Sequence, residues 1–244
     1  MRKYQLIKVD TSALFVSDTH LSEDSPPGIE RFNRFLDTHA SKYEYLFILG
    51  DLFEYWIGDD ANQFKSVKIA LQKLKTKIYF IHGNRDFLIG SDFLDKTNIT
   101  LLDDSTLIQL GNQKAVILHG DTLCIDDKEY QEFRSKVRLE SWKKDFLNKK
   151  IHTRLEICKD LRRKSYEAQI NKSELLMDVN ENEVKKLFKD LSFPPIMIHG
   201  HTHRPKRHKY LLDNNKCERW VLNDWYDSGS YLIWKDDQLN SETL

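Results

Sequence analysis

One short apolar run ends in a glycine and a polar residue: Ile78-Tyr79-Phe80-Ile81-His82-Gly83-Asn84. Near-continuous hydrophobicity over so few residues indicates a strand that is buried on both faces, and the glycine marks a tight turn at its end. Four further runs end in the same kind of residue. They are Leu14-Phe15-Val16-Ser17-Asp18, residues 45–51, Ala115-Val116-Ile117-Leu118-His119 and Ile196-Met197-Ile198-His199-Gly200-His201.

The segments between the first three runs have the spacing of helices. Phe32, Phe35 and Leu36 form one apolar face, and Val67, Ala70, Leu71 and Leu74 form another. Because strand and helix alternate, we predict an α/β fold that carries its functional groups at the carboxyl ends of the strands.

The pattern changes at about Asp127, beyond which apolar residues recur at intervals of mostly three to five residues. This spacing predicts long amphipathic helix. Residues 134–172 hold 13 Lys or Arg and 5 Asp or Glu, so their local charge is +8. We therefore predict a helical insertion at about 127–191, ended by Pro194-Pro195, within a single domain of residues 1–244. Beyond His203 the pattern is that of β-strands again.

Composition excludes several classes of protein. Lys plus Arg and Asp plus Glu both number 38, which disfavours a chain-wide polyanion binder. No apolar run approaches the roughly 20 residues that span a bilayer, and no apolar segment follows the charged start, so we expect no signal peptide. The three widely spaced cysteines favour free thiols in a reducing compartment.

The ends of the five runs supply seven potential metal ligands at regular intervals. Spacings of 31, 33 and 35 residues separate His20, Asp51, Asn84 and His119, about one strand–helix unit each. These side chains should therefore gather at one edge of a sheet. Imidazoles and carboxylates suit borderline or hard divalent metals. The predicted ligands are Asp18, His20, Asp51, Asn84, His119, His201 and His203.

Seven ligands for two metals require one shared ligand, and a carboxylate is the natural bridge. Asp51 is the candidate because it ends the second run with no histidine beside it. Two metals about 3.5–4 Å apart hold a hydroxide and clamp a phosphoryl group.

The order Asp-x-His, Gly-Asp, Gly-Asn, His and Gly-His-x-His resembles that of the calcineurin-like metallophosphoesterases. Longer motifs resemble the UDP-2,3-diacylglucosamine pyrophosphohydrolase family of lipid A biosynthesis, and the resemblance runs from about Leu14 to Trp234. These motifs are residues 80–88, residues 118–124, Met177-Asp178-Val179-Asn180 and residues 199–205. The resemblance implies a sandwich of two mixed β-sheets flanked by helices (αββα), with a helical cap.

The resemblance also implies the roles of individual residues. Asp18, His20, Asp51 and His203 would hold one metal, and Asp51, Asn84, His119 and His201 the other. Two Mn²⁺ per chain are expected, with other divalent metals as alternatives. The implied catalytic residues are Asp51, Asn84, Arg85 and His201. The implied substrate contacts are Asn84, Arg85, Asp127, Ser165, Gln169, Lys172 and His201.

The implied reaction is water attack on the α-phosphorus of UDP-2,3-diacylglucosamine, giving UMP and 2,3-diacylglucosamine 1-phosphate. Superfamily members that expel poor leaving groups often carry histidine after Gly-Asn, positioned as a general acid. Arg85 stands there instead and cannot give up its proton at neutral pH. A sugar 1-phosphate leaves as a stable anion, so Arg85 would stabilise charge on the diphosphate.

The resemblance implies a lipid-linked UDP-sugar as substrate, and the basic insertion predicts an anionic membrane surface as a second partner. We expect a peripheral protein at the cytoplasmic side of the inner membrane, monomeric and without a nucleic-acid partner. Phe133, Val137, Trp142 and Phe146 are expected to line or approach an acyl-chain site. The alternative for these side chains is that they pack the insertion onto the α/β body.

Two other functions remain open at this point. One is another dinuclear enzyme on the same scaffold, such as a phosphomonoesterase, phosphodiesterase, nuclease or nucleotide pyrophosphatase. The other is a non-enzymatic module that binds lipid or nucleic acid through residues 134–172. Loss of a ligand would favour the second function, and all seven ligand positions are present.

Overall fold

Two mixed β-sheets of six strands each form the centre of the computed structural model, which describes residues 6–171 and 177–244, with the side chains of 169–171 outside the description. The strands are β1 (Ile7–Val9), β2 (Ala13–Val16), β3 (Tyr45–Ile48), β4 (Lys77–Phe80), β5 (Ile99–Leu101), β6 (Ser105–Leu110), β7 (Gln113–Leu118), β8 (Ile196–His199), β9 (Lys206–Leu212), β10 (Asn215–Val221), β11 (Ser230–Lys235) and β12 (Gln238–Thr243). The helices are α1 (Pro26–Thr38), α2 (Lys65–Lys73), α3 (Ser91–Thr97), α4 (Lys128–Val137), α5 (Glu140–Leu147), α6 (Ile151–Asn171) and α7 (Glu181–Asp190).

The first sheet has the order β12-β11-β2-β3-β4-β5, and its strands β2 to β5 are parallel. Val16 lies level with Ile48, and Ile48 with Phe80, so three strands end at the same height. The second sheet has the order β1-β6-β7-β8-β10-β9, in which β7 and β8 are parallel neighbours. The ends of these five strands carry the predicted ligands.

Alternating side chains of the parallel strands divide the core into layers. Phe15 and Phe47 point between the sheets, where they meet Ile117 and Ile198 of the second sheet. Their neighbours on the same strands face outward and pack against α1, α2 and α3. On the outer side of the second sheet, Val184 and Phe188 of α7 cover β7 and β8. This layering is αββα, and it confirms the predicted fold class.

Four separate helices, α4 to α7, occupy the region predicted as a helical insertion. The helical segment is interrupted between α4 and α5 at Leu139, which has an extended backbone with ψ 135°. It is interrupted again between α5 and α6, from Asn148 to Lys150. Neither break carries the glycine or proline that marks a helix end in sequence, which is why the spacing predicted longer helices. Asp127 begins α4 by accepting a hydrogen bond from the backbone nitrogen of Tyr130 at 3.1 Å.

Candidate metal centre and active site

All seven predicted metal ligands lie at one edge of the sandwich. Asp18, His20, Asp51 and Asn84 follow strands of the first sheet, and His119, His201 and His203 follow β7 and β8 of the second. The carboxylates of Asp18 and Asp51 and the ring of His119 are almost fully buried. The centre therefore spans the junction between the two sheets.

Two groups of ligand atoms lie close enough to hold an ion. The first is formed by Asp18, His20 and His203, and the second by Asp18, Asp51 and His119. Within each group the ligand atoms lie within 4.8 Å of one another. Asp18 belongs to both groups, whereas Asp51 belongs to the second alone. The bridging role of Asp51 therefore stays a prediction.

The side chain of Asn84 connects His119 with His201. Its side-chain oxygen lies 2.9 Å from Nε2 of His119 and 2.9 Å from Nδ1 of His201. The other nitrogen of His119 lies 2.8 Å from the carbonyl oxygen of Leu49, which fixes the orientation of the ring. The Asn84 oxygen and two imidazole nitrogens thus converge from three different strands.

The backbone at this edge adopts an unusual conformation. Asp18, His20, Asp51, His201 and His203 all have positive φ, between 46° and 67°. Each such non-glycine residue costs of the order of 1–3 kcal/mol, and residues of this kind cluster at functional sites. The turns aim the five side chains back across the strand ends.

Two glycines make room for the carboxylates. A Cβ on Gly83 would lie 2.1 Å from Oδ1 of Asp51, and a Cβ on Gly200 would lie 2.1 Å from Oδ2 of Asp18. Any side chain at either position would collide with a predicted ligand. Glycine is required there for close approach of the chain, independent of turn geometry.

The donor chemistry fits divalent cations. The ligand atoms are oxygen and imidazole nitrogen without sulfur, a set that suits metals such as Mn²⁺ and Zn²⁺. Oδ1 of Asp18, which lies 3.3 Å from Nε2 of His203, is buried and has no hydrogen-bond partner among the described residues. Such unpaired buried polar atoms are costly unless another group satisfies them. Burial, together with the charge of His119, lowers the pKa of His201 to about 3, which keeps this imidazole in the neutral form that binds metal.

Arg85 lies beside these ligands, as predicted from its place after Asn84. Its backbone nitrogen donates to Oδ1 of Asp51 at 2.9 Å, and its Nε lies 3.4 Å from Oδ2 of the same carboxylate. The Nη1 atom donates to Glu54. The guanidinium is thus held at the edge of the centre by two carboxylates.

Glu54 was not anticipated from the sequence, although it lies only three residues beyond Asp51. It accepts hydrogen bonds from Arg85 and, at 2.6 Å, from Nε of Arg162 on α6. Its Oε2 also lies 3.4 Å from Nδ1 of His20. One carboxylate therefore contacts a predicted metal ligand and two arginines.

Several other residues at the centre had no role in the sequence analysis. Asp224 lies 3.3 Å from Nδ1 of His203, and the ring of Tyr226 stacks on His20. Asp86 accepts from the backbone nitrogens of Gly83 and Leu52, and burial with the nearby Asp51 charge raises its pKa to about 7. The run Gly-Asn-Arg-Asp contained a signal for Asp86, whereas Asp224 and Tyr226 lie in a loop without a recognisable motif.

The predicted substrate contacts are only partly brought together. Asn84, Arg85 and His201 lie at the centre, and Asp127 caps α4. Ser165 is half-buried on α6, three residues beyond Arg162. The side chain of Gln169 and the whole of Lys172 lie outside the described residues.

Of the four residues expected to approach an acyl chain, two are in the core. Val137 and Phe146 are buried in the cluster that covers the outer face of the first sheet. Trp142 is partly buried, stacking on Phe146 with ring centroids 5.1 Å apart, and Phe133 is exposed. Packing onto the body therefore accounts for Val137 and Phe146, while Phe133 and Trp142 keep accessible surface.

Comparison with known proteins identifies relatives over nearly the whole chain. Residues 11–205 match the family model described as calcineurin-like phosphoesterase. A UDP-2,3-diacylglucosamine hydrolase of Aromatoleum aromaticum is 42% identical over 91% of this chain and 93% of its own length. The protein of that name in Vibrio parahaemolyticus is 44% identical over 95% of each chain.

These matches confirm the resemblance that the motifs indicated. Within the described residues, no helix combines the length and the apolar character needed to cross a bilayer. The seven ligand positions, the layered fold and the matched relatives agree with one another. The chain belongs to the calcineurin-like phosphoesterase family and, within it, to the group of the UDP-2,3-diacylglucosamine hydrolases.

Proposed function

We propose that this chain hydrolyses UDP-2,3-diacylglucosamine to UMP and 2,3-diacylglucosamine 1-phosphate, a step of lipid A biosynthesis. The observation that carries the proposal is the position of Arg85, with its Nε 3.4 Å from Oδ2 of Asp51, next to Asn84 in the ligand cluster. A guanidinium there suits a diphosphate substrate whose leaving group needs no proton. The names of relatives that match over 90% of the chain point to the same substrate.

Two Mn²⁺ ions would be held by the seven ligands as the family resemblance implies. Asp18, His20, Asp51 and His203 would bind one, and Asp51, Asn84, His119 and His201 the other. When bound, such a pair supplies a hydroxide at neutral pH and clamps phosphoryl oxygens. The protein positions the ligands in advance through strained backbone turns and the glycine contacts at Gly83 and Gly200.

The reaction joins the oxygen of water to the α-phosphorus and breaks the bond to the bridging oxygen. The departing group is a phosphate monoester anion, and the proton of the attacking water passes to solvent. Arg85 remains protonated throughout and stabilises negative charge on the diphosphate. Because Asp51 and Glu54 hold the guanidinium in place, little reorganisation is needed when substrate binds.

The helices at about 127–191 are proposed to act as a cap that presents the protein to an anionic membrane at the cytoplasmic side. Leu139, Leu147 and Ile151 are 56%, 38% and 45% exposed. Lys144, Lys149 and Lys150 are exposed nearby and form no ion pair with the residues that the structure describes. Apolar side chains among unpaired lysines favour reversible binding to anionic lipid, at about 1 kcal/mol per nearby cation.

The decisive experiment measures release of UMP from UDP-2,3-diacylglucosamine by protein that has been stripped with a chelator and reloaded with Mn²⁺. We expect no turnover without metal and recovery with Mn²⁺. Parallel reactions use UDP-N-acetylglucosamine without acyl chains, a phosphomonoester and a cyclic nucleotide. Preference for any of these over the lipid-linked substrate would overturn the proposed function in favour of another phosphoesterase of the same family.

A separate experiment tests the membrane surface. Sedimentation with vesicles that contain about one third anionic lipid should capture the protein at low salt and release it at high salt. A triple variant with Lys144, Lys149 and Lys150 changed to Gln should remain in solution while keeping its metal content. Equal capture by neutral vesicles would contradict the electrostatic part of the proposal.

A further inference from the structure

The proposed substrate carries a uracil base, and the predicted substrate contacts contain no aromatic platform for it. Six of them are Asn, Arg, Asp, Ser, Gln and Lys, and His201 is engaged with Asn84. A planar base is commonly held by stacking on an exposed aromatic ring. Such a ring would have to lie at the metal edge, which is the edge of the sandwich that carries the seven predicted ligands.

Among the described residues, three aromatic side chains combine large size with high exposure. Phe133 is 39% exposed, Tyr226 55% and Tyr166 64%. Among these three side chains, all within the described residues, only the ring of Tyr226 contacts predicted metal ligands. Its ring lies parallel to that of His20, with centroids 5.1 Å apart and an angle of 8°, and edge-on to His203 at 5.9 Å.

A second tyrosine at the centre is less suited to the task. The ring of Tyr130 lies 5.9 Å from that of His201, but this side chain is half-buried. Its hydroxyl donates to Asp121 at 2.6 Å, in a cluster that also contains Arg134. Tyr130 is therefore part of the wall of the centre, whereas Tyr226 has exposed ring surface.

The segment that carries Tyr226 is fixed to the metal edge. Trp225 is buried, and its backbone nitrogen donates to the carbonyl oxygen of Asp18 at 3.1 Å. The indole nitrogen of Trp225 donates to the carbonyl oxygen of Ser230 at 2.8 Å. The backbone nitrogen of Tyr226 donates to Oδ1 of Asp224 at 3.1 Å, and its hydroxyl lies 3.5 Å from Nη1 of Arg85. A ring held in this way loses little conformational entropy when a ligand stacks on it.

We propose that Tyr226 is the platform on which the uracil ring of the substrate stacks, with His20 supporting the opposite face. The inference rests on the proposed function for the identity of the base. It assigns the nucleoside half of the substrate to the segment 224–226, on the α/β body, and leaves the acylated sugar to the insertion. Tyr226 would thereby contribute to the preference for a nucleotide over a simple phosphate ester.

The test compares two ligands that differ only in the base. Isothermal titration of the Mn²⁺-loaded full chain gives dissociation constants for UMP and for ribose 5-phosphate. In Tyr226→Leu the affinity for UMP should fall about tenfold, as expected for loss of one stacking contact, while that for ribose 5-phosphate stays within about twofold. Tyr226→Phe, which keeps the ring, should retain UMP affinity. Tyr166→Leu serves as the matched control and should bind UMP as the unchanged chain does.

Two results would overturn the inference. One is an unchanged affinity for UMP in Tyr226→Leu. The other is an equal loss for UMP and ribose 5-phosphate, which would mean that Tyr226 only supports His20. A measurement on the unmodified chain avoids any folding defect: uracil protons of bound UMP should shift upfield in the NMR spectrum because of the ring current, and an absent shift counts against stacking. None of these measurements requires turnover, so failure of the proposed function would be seen separately, as absence of UMP release.

Discussion

Arg162 donates a hydrogen bond from Nε to Oε1 of Glu54 across 2.6 Å, and this bond joins α6 to the loop that follows β3. Glu54 also contacts Arg85 and lies 3.4 Å from Nδ1 of His20. The long helix and the metal edge therefore share one carboxylate. A change in the position of α6 would therefore affect His20, a predicted metal ligand, and Arg85, which is proposed to face the diphosphate.

Glu54→Gln tests the role of this shared carboxylate, because it keeps the shape of the side chain and removes its charge. Loss of a carboxylate that orients a ligating histidine typically lowers metal affinity or activity by about 10–100-fold. We expect the concentration of Mn²⁺ needed for half-maximal activity to rise and kcat to fall at saturating metal. A titration curve that overlays that of the unchanged chain would show that Glu54 has no part in holding His20 or Arg85.

Asp51→Ala should abolish turnover and disturb both metals, since one carboxylate is predicted to position both ions. The measurement is metal content by elemental analysis together with the rate. Asp37→Ala, an exposed aspartate on α1, is the control and should retain both. Two ions per chain and normal activity in Asp51→Ala would contradict the bridging role and direct attention to Asp18, which is common to both ligand groups.

Arg85→Ala should lower kcat/KM by about 10²–10³-fold, the size expected for losing one preorganised charge-stabilising contact. Metal content should stay unchanged because arginine is not a ligand. Arg85→Lys should recover only part of the rate, since an ammonium group cannot reproduce the planar contacts of the guanidinium. If metal is lost together with the rate, Arg85 maintains the site and does not act on the substrate.

Arg154→Met should destabilise the fold by about 2 kcal/mol, measured as the free energy of unfolding in urea. The guanidinium of Arg154 is buried and donates to the carbonyl oxygen of Ile57 at 2.6 Å and to Asp60 at 2.8 Å. The methionine would fill most of the space but leave the carbonyl unpaired. Asp60→Asn, which changes an exposed carboxylate, should lower the free energy of unfolding much less. Equal losses in the two variants would show that the ion pair alone supplies the stabilisation.

Acyl length should affect binding if the insertion accommodates the lipid, because each buried methylene contributes about 0.8 kcal/mol. We expect kcat/KM to rise with chain length in a series of UDP-diacylglucosamines. Trp142→Ala should flatten this dependence, whereas Leu211→Ala, on the distant β9–β10 hairpin, should not. Equal kcat/KM for acylated and deacylated substrates would eliminate an acyl-chain site.

The fold, and the gathering of the seven predicted ligands at one edge, could be predicted because local pattern and topology agree at Val16, Ile48 and Phe80. Buried parallel strands that end level place whatever follows them at one edge. Glu54, Asp224 and Tyr226 could not be found in this way. Their importance depends on which segments meet in space, and nothing in their neighbours marks a polar loop residue as a partner of His20 or His203. Val137 and Phe146 illustrate the same limit, since an apolar stripe does not distinguish core packing from a lipid contact.

The junction of the two sheets has a consequence for stability. Four predicted ligands belong to one sheet and three to the other, and the backbone nitrogen of His201 donates to Oδ2 of Asp18 across this junction at 2.8 Å. An ion bound there is a ligand of the folded state alone, so its binding free energy is added to the cohesion of the sandwich. Each tenfold excess of metal over its dissociation constant adds about 1.4 kcal/mol. The melting temperature should therefore rise with the supply of metal. A shortage of metal would lower the stability of the sandwich as well as the rate of the reaction.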